Sequence, residues 1–381
     1  MSAPSALAHH PSTLPLPIAD VFCRVIDNLG DVGVCWRLSR ILADQGWQVR
    51  LWVDDARALA FMAPSQALAR PGEASGVCVR DWHLASNAPL LAQLPPAQLW
   101  VEAFGCELPT AFVAHAVRTR AQPPRWINLE YLSGEDWVPR LHGLPSPVMS
   151  GPAKGWTKQF IYPGFEAGTG GLLREPDLMA RQARFDPQPW LRQLGIAPRS
   201  EALRVSLFCY EPAALVPWLA QQGQAAQPLD LLVTPGRAQQ AVAAAQSALG
   251  WSRWPDHLRC HALPWLSQTD FDHLLWACEL NFVRGEDSLV RAIWAGQALV
   301  WQLYPQDDGA HHAKLEAFLR HAQLPPAWAD FHRAWNGLTS LPDPAVWSLS
   351  PSSVAQARQQ VQAFRQRLLA LPPLQSVLVQ P

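Results

Sequence analysis

Residues 281–306, NFVRGEDSLVRAIWAGQALVWQLYPQ, run from Asn281 through an apolar strand end, Phe282-Val283, into Arg284-Gly285-Glu286-Asp287-Ser288. A helical stretch follows, with Leu289, Ile293 and Gly296 on one face, and then a second apolar strand that closes on Tyr304-Pro305-Gln306. Strand, charged loop, helix, strand is half of a βαβ unit. In parallel α/β sheets, ligands sit beyond the carboxyl ends of the strands, where helix N-termini point free N–H groups outward. That position holds Arg284, Glu286, Asp287 and Ser288. Ser288 and the first-turn N–H groups suit phosphate oxygens, Arg284 suits their charge, and the Glu286 carboxylate suits sugar hydroxyls. The same residues also suit a capped helix with a solvated Glu–Arg pair, and spacing alone does not separate the two readings.

Outward from this stretch the pattern repeats. A first series has strands predicted at residues 21–26, 49–53, 77–80, 99–104 and 126–129, separated by segments of helical length. A second series has strands at 203–208, 231–234, 258–263, 280–283 and 298–303. A Pro- and Arg-rich connection without strand character joins them at 176–200. Alternating strands and helices predict α/β architecture with parallel sheets and right-handed crossovers. Two such series predict two Rossmann-like, doubly wound domains facing a cleft, 20–180 and 200–349, after a disordered extension at 1–19. Residues 352–369 place Val354, Ala357, Val361, Phe364 and Leu368 on one stripe, a C-terminal helix expected at about 350–372 and packing back on the first domain.

The chain has 381 residues, a net charge of −1, and Lys and Arg spread singly, so no basic footprint for nucleic acid or a membrane surface is present. No apolar stretch reaches membrane-spanning length and the N-terminus lacks a signal-peptide pattern, which predicts a cytoplasmic protein. Seven scattered cysteines without CxxC or His neighbours at zinc-ligand spacing predict reduced thiols and no metal site.

The first strand leads into Asp27-Asn28-Leu29-Gly30-Asp31-Val32-Gly33. Only Gly30 and Gly33 are offered, so the turn is not a standard dinucleotide fingerprint. Asp31 reads either as the N-cap of the next helix or as a general base on the cleft, with Asp27 the second carboxylate. Phe208 and Tyr210, one residue apart after a strand, project from one face and suit a stacked base or the core. Gln268, in another strand-to-helix loop, suits either the polar edge of a base or a cap, and Tyr304 either a phosphate or the core. EAGTGG, 166–171, suits either a phosphate cradle or, more simply, a turn. No GxSxG elbow or hydrolytic triad is present.

FCRVIDNLGDVGVCWRLSR (22–40), INLEYLSGEDWV (127–138), YPGFEAGTGGLLRE (162–175), LNFVRGEDSLVRAIWAGQALVWQLYPQ (280–306) and H-x-x-K from His311 to Lys314 resemble the EarP family of bacterial protein-arginine rhamnosyltransferases, which modify elongation factor P. The resemblance implies GT-B architecture, with dTDP-β-L-rhamnose on the C-terminal domain and the acceptor protein on the N-terminal one. It implies Asp31 as general base, Asp27 as a second acidic residue of the catalytic motif that helps place the acceptor or donor, and Glu286 as a glutamate needed for activity. Asn28, Gly30, Phe208, Tyr210, Gln268, Arg284, Gly285, Asp287, Ser288 and Tyr304 fall in the implied donor site, and no cofactor or metal is implied. A guanidinium is a poor nucleophile because its lone pairs are delocalised and it stays protonated; a close carboxylate can orient it and take its proton. The competing readings are a GT-B transferase with another acceptor and a non-catalytic nucleotide-binding protein, which would have no use for the Asp31 and Glu286 carboxylates.

Overall fold

A buried carboxylate stands in the middle of the first strand. In the computed structural model, which describes residues 16–25, 30–63, 76–197, 199–305, 309–342 and 348–380, β1 spans Ile18–Cys23 and all of its residues are buried. Asp20 accepts from Arg50 Nε and Nη2, both at 2.6 Å, and from Trp52 Nε1 at 2.8 Å. A charge so paired can be taken out of water. The strand therefore begins before residue 21, and Ile18 and Ala19, assigned above to an extension, belong to the core. It ends at Cys23 rather than 26, a residue outside those described.

Among the described residues the first sheet has seven strands in the order β3-β2-β1-β4-β5-β7-β6. They are β1, β2 (Gln48–Val53), β3 (Val77–Asp81), β4 (Leu99–Ala103), β5 (Arg125–Leu129), β6 (Pro145–Pro147) and β7 (Thr157–Ile161). All neighbours are parallel except β6 against β7. This edge pair escapes a reading by apolar runs, because β7 is TKQFI and only its last residue is buried. The second sheet, order β10-β9-β8-β11-β12, is fully parallel. Its strands are β8 (Leu203–Leu207), β9 (Leu229–Val233), β10 (Leu258–Ala262), β11 (Leu280–Arg284) and β12 (Ala298–Gln302). Strand order reverses at β1/β4 and β8/β11, which leaves a crevice at each carboxyl edge. The segment between the sheets holds two short helices, Leu178–Arg184 and Pro187–Gln193. The seven cysteines are free thiols.

The C-terminal helix, Pro351–Leu369, buries the stripe read from its spacing, Val354, Ala357, Val361, Phe364 and Leu368, but into the core of the second domain. Return to the first domain is made instead by the shorter helix Leu374–Val379, whose Leu374 and Leu378 enter that core. Where this return begins, Gly171 has φ +65° and a Cβ there would lie 2.2 Å from the Pro372 carbonyl oxygen. Gly151, also at positive φ (+76°), faces open space. Gly151→Ala is expected to show only the backbone strain of about 1–2 kcal/mol, whereas Gly171→Ala adds a clash with main chain. Thermal unfolding should place the Gly171→Ala midpoint roughly 3 °C or more below that of Gly151→Ala.

Candidate active site

Two helix N-termini, one from each sheet, meet in the cleft. Helix Gly30–Asp44 begins one residue before Asp31, so this carboxylate lies in the first turn rather than at the N-cap, and it is 4% exposed. Tyr131 Oη donates to Asp31 Oδ1 at 3.3 Å. Burial first, then the charges of Asp31 and Glu286, push the Tyr131 phenol above its ordinary pKa, which keeps it a neutral donor. Its ring stacks on Phe104 at 4.6 Å, and Phe104 holds φ at +58°, a conformation that costs a non-glycine residue about 1–3 kcal/mol. Asp27 and Asn28 lie outside the described residues; Gly30 lines the cleft.

The charged loop read at 284–288 is not a loop. Arg284 ends β11, Gly285 starts helix Gly285–Ala295 with φ +65°, and Glu286, Asp287 and Ser288 form its first turn. One glycine in the left-handed region completes a reversal that other residues would need a longer connection to make. Ser288 Oγ accepts from Arg284 N–H at 3.1 Å and donates to the Arg284 carbonyl oxygen. Glu286 joins the domains: Oε2 accepts from the Leu132 N–H at 2.8 Å, and Oε1 pairs with Lys314 Nζ. The Glu–Arg pair considered above is thus replaced by a Glu–Lys pair.

Beneath this lies a buried ionic network. Arg37 donates from Nε to Asp287 at 3.3 Å and from Nη1 to Glu175 at 2.9 Å, and lies 3.5 Å from Asp272. Arg291 donates to both Asp272 oxygens, at 2.8 and 2.6 Å, and to Glu175 Oε2 at 2.7 Å. Burial alone would raise the Glu175 carboxyl pKa, but Arg291 and Arg37 outweigh it and hold the group well below the usual carboxylate range. Gln268 is the first residue of helix Gln268–Ala277, capped by Ser267, and its Nε2 donates across the cleft to the Gly33 carbonyl oxygen at 2.8 Å.

The other end of the cleft is apolar. Phe208 packs edge-on against Phe271 at 5.5 Å. The Arg284 guanidinium carbon lies 4.5 Å from the Phe208 ring and 4.4 Å from that of Tyr210, so both rings do face one place. Tyr210 is buried against Tyr304, which is 56% exposed. Phe61 of the first domain meets Trp265 of the second at 4.5 Å. Phe61, Trp265, Phe208, Phe271 and Arg284, with Thr234, Pro235, Gln268, Asp287 and Ser288, line one open cavity at this end of the cleft. Among the described residues no group of three or more His, Cys, Asp or Glu is placed to hold a metal ion, and no helix is long and apolar enough to cross a membrane.

Of the residues read from the sequence, Gly30, Phe208, Gln268, Arg284, Asp287 and Ser288 line one cavity, Glu286 lines the adjoining one, Asp31 and Gly285 lie in the first turns of the two helices, and Tyr210 packs on Arg284 with Tyr304 against it. Arg37, Tyr131, Leu132, Glu175, Asp272, Arg291, Lys314, Phe61 and Trp265 were not anticipated as site residues. Arg37, Tyr131, Leu132, Glu175, Arg291 and Lys314 do lie inside the motif stretches quoted above, so their signal was present as pattern without a role.

Two doubly wound domains that face each other across a cleft at their carboxyl edges have the GT-B architecture. UDP-complexed UGT89C1 of Arabidopsis thaliana shares this fold with a TM-score of 0.53 at 9% identity, over 95% of this chain and 97% of that one. A family model described as Elongation-Factor P (EF-P) rhamnosyltransferase EarP matches residues 19–380, and the chain belongs to this family. A protein-arginine rhamnosyltransferase of Pseudomonas putida is 42% identical over 377 residues, 94% of this chain and 97% of the relative. A solved structure from work on EarP-mediated arginine glycosylation of translation elongation factor EF-P matches with a TM-score of 0.62 at 31% identity, over 95% of this chain and 97% of that one. The protein is accordingly a glycosyltransferase of the protein-arginine rhamnosyltransferase type.

Removing one partner of a buried pair leaves an uncompensated charge, so Glu175→Gln is expected to destabilise the protein by about 3 kcal/mol at neutral pH. Because the folded-state pKa is depressed, the Glu175 contribution is present above the unfolded carboxylate value of about 4.3 and is lost as pH falls toward the folded value. The gap between the unfolding midpoints of wild type and variant, measured from pH 7 down to about 3, should therefore narrow below about pH 4.3 without closing.

Proposed function

We propose that this protein transfers L-rhamnose from dTDP-β-L-rhamnose to an arginine side chain of translation elongation factor P, with inversion at the anomeric carbon. The observation that carries the reading is that Asp31 and Glu286, one from each domain, converge on the adjacent residues Tyr131 and Leu132. An arginine nitrogen reacts only when a carboxylate orients the guanidinium and takes its proton. Asp31 is the general base in this reading, Asp27 an accessory acid of the same turn, and Glu286 holds the guanidinium or the sugar from the opposite wall. The nitrogen attacks the anomeric carbon, the bond to the diphosphate oxygen breaks, the proton passes to Asp31, and α-rhamnosyl-arginine and dTDP result.

Phe208 and Gln268 take the thymine, and Tyr210 and Tyr304 flank the nucleotide. Arg284 and Ser288 bind the diphosphate through their side chains and Gly285 and Asp287 through the N–H groups of their helix, and Asn28 and Gly30 are assigned to the donor site as well. Ser288 can serve by turning its hydroxyl from the Arg284 backbone to a phosphate oxygen. The positive charge of Arg284 and the helix N-terminus meet the leaving-group charge, so the reading needs neither cofactor nor metal. The setting that supplies such a donor and acceptor is the bacterial cytoplasm.

Intact-mass spectrometry of elongation factor P incubated with dTDP-β-L-rhamnose and the protein tests this. Wild type should add one deoxyhexose to an arginine. Asp31→Asn should add none while losing no more than about 1 kcal/mol of stability, since Asn keeps the shape and gives up only the charge at the helix start. A product of retained β configuration overturns single displacement, and tight dTDP binding without any mass change moves the acceptor elsewhere.

A further inference from the structure

Tyr131 is 36% exposed, although one face of its ring is covered by Phe104. It stands between the two carboxylates: its hydroxyl is on Asp31, and the next residue's N–H is on Glu286. A cation already lies near the ring, since Lys314 Nζ is 5.9 Å from its centroid while it pairs with Glu286. That is the outer range of a cation–π contact. The Phe104 backbone conformation that backs the ring is strained, and such strain persists where the surroundings hold a side chain in a required place. An aromatic face with a carboxylate on either side is a setting for a planar cation, and guanidinium stacks on aromatic rings better than ammonium does.

We propose that Tyr131 is the acceptor-binding platform on which the substrate guanidinium stacks between Asp31 and Glu286, in the region that the Lys314 ammonium borders. The inference rests on the arginine-transfer reading above and assigns to Tyr131 a contact with the acceptor rather than with the donor. Lys314 keeps Glu286 paired when the acceptor is absent. Tyr131 Oη holds Asp31 in register with the stacked side chain.

Steady-state kinetics with elongation factor P and dTDP-β-L-rhamnose on Tyr131→Leu and Tyr131→Phe separate the roles. Tyr131→Leu should raise KM for the acceptor about tenfold and leave KM for the donor within about twofold. Tyr131→Phe should keep the acceptor KM near wild type, because the ring remains, and lower kcat through the lost hydrogen bond to Asp31. dTDP binding measured by calorimetry checks that both variants fold. An unchanged acceptor KM in Tyr131→Leu, or equal rises for donor and acceptor, overturns the inference while the wild-type transfer stands. A wild type that modifies no arginine-bearing acceptor overturns the transfer reading and this inference with it.

Discussion

Two buried arginines hold the cleft together. Arg37 comes from the first domain and Arg291 from the second, and both close on Glu175, just before the connecting segment, and on Asp272. Charges so far from water are tolerated only when paired, and leaving one unpaired is costly, so the helices that carry them have little freedom to slide. Those helices are the ones whose first turns carry Asp31 and Glu286. At a rise of 1.5 Å per residue, each arginine sits roughly 7–9 Å down its helix from its carboxylate. The network therefore sets the separation of two acids that belong to different domains.

Above the network the cleft is divided by chemistry. At one end Tyr131 and Leu132 bind the two carboxylates, Lys314 balances Glu286, and the strained Phe104 backs the tyrosine. At the other, Phe208, Phe271, Trp265 and Phe61 offer flat apolar surface. Between them lie Arg284 and the helix start at Gly285. A charged donor with a flat base and a cationic acceptor would thus each meet a complementary wall.

Much of this was legible because it depends on near neighbours in the chain. The alternation of apolar runs and helical spacing located ten of the strands, and the buried stripe of the C-terminal helix followed from its period alone. Which residues stand at the carboxyl ends of the strands was identifiable for the same reason. The failures were also local in cause. Asp20 made a buried strand look polar, the polar residues of β7 hid the strand next to the sheet edge, and Gly285 removed a loop that the charged run 284–288 suggested.

Sequence by itself determined the two α/β series, the parallel sheets and the residues delivered to their edges, because hydrophobic period and helix start signals act over a few residues. Only the tertiary structure decided which charges meet. Tyr131 reaches Asp31 across 100 residues, Leu132 reaches Glu286 across 154, and Arg37 reaches Asp287 across 250. Nothing in the local pattern favours those partners over others of like charge. Packing within the first domain brings Tyr131 to Asp31, and docking of the two domains selects the other two pairs, since a buried charge leaves water only where its particular partner is already in place.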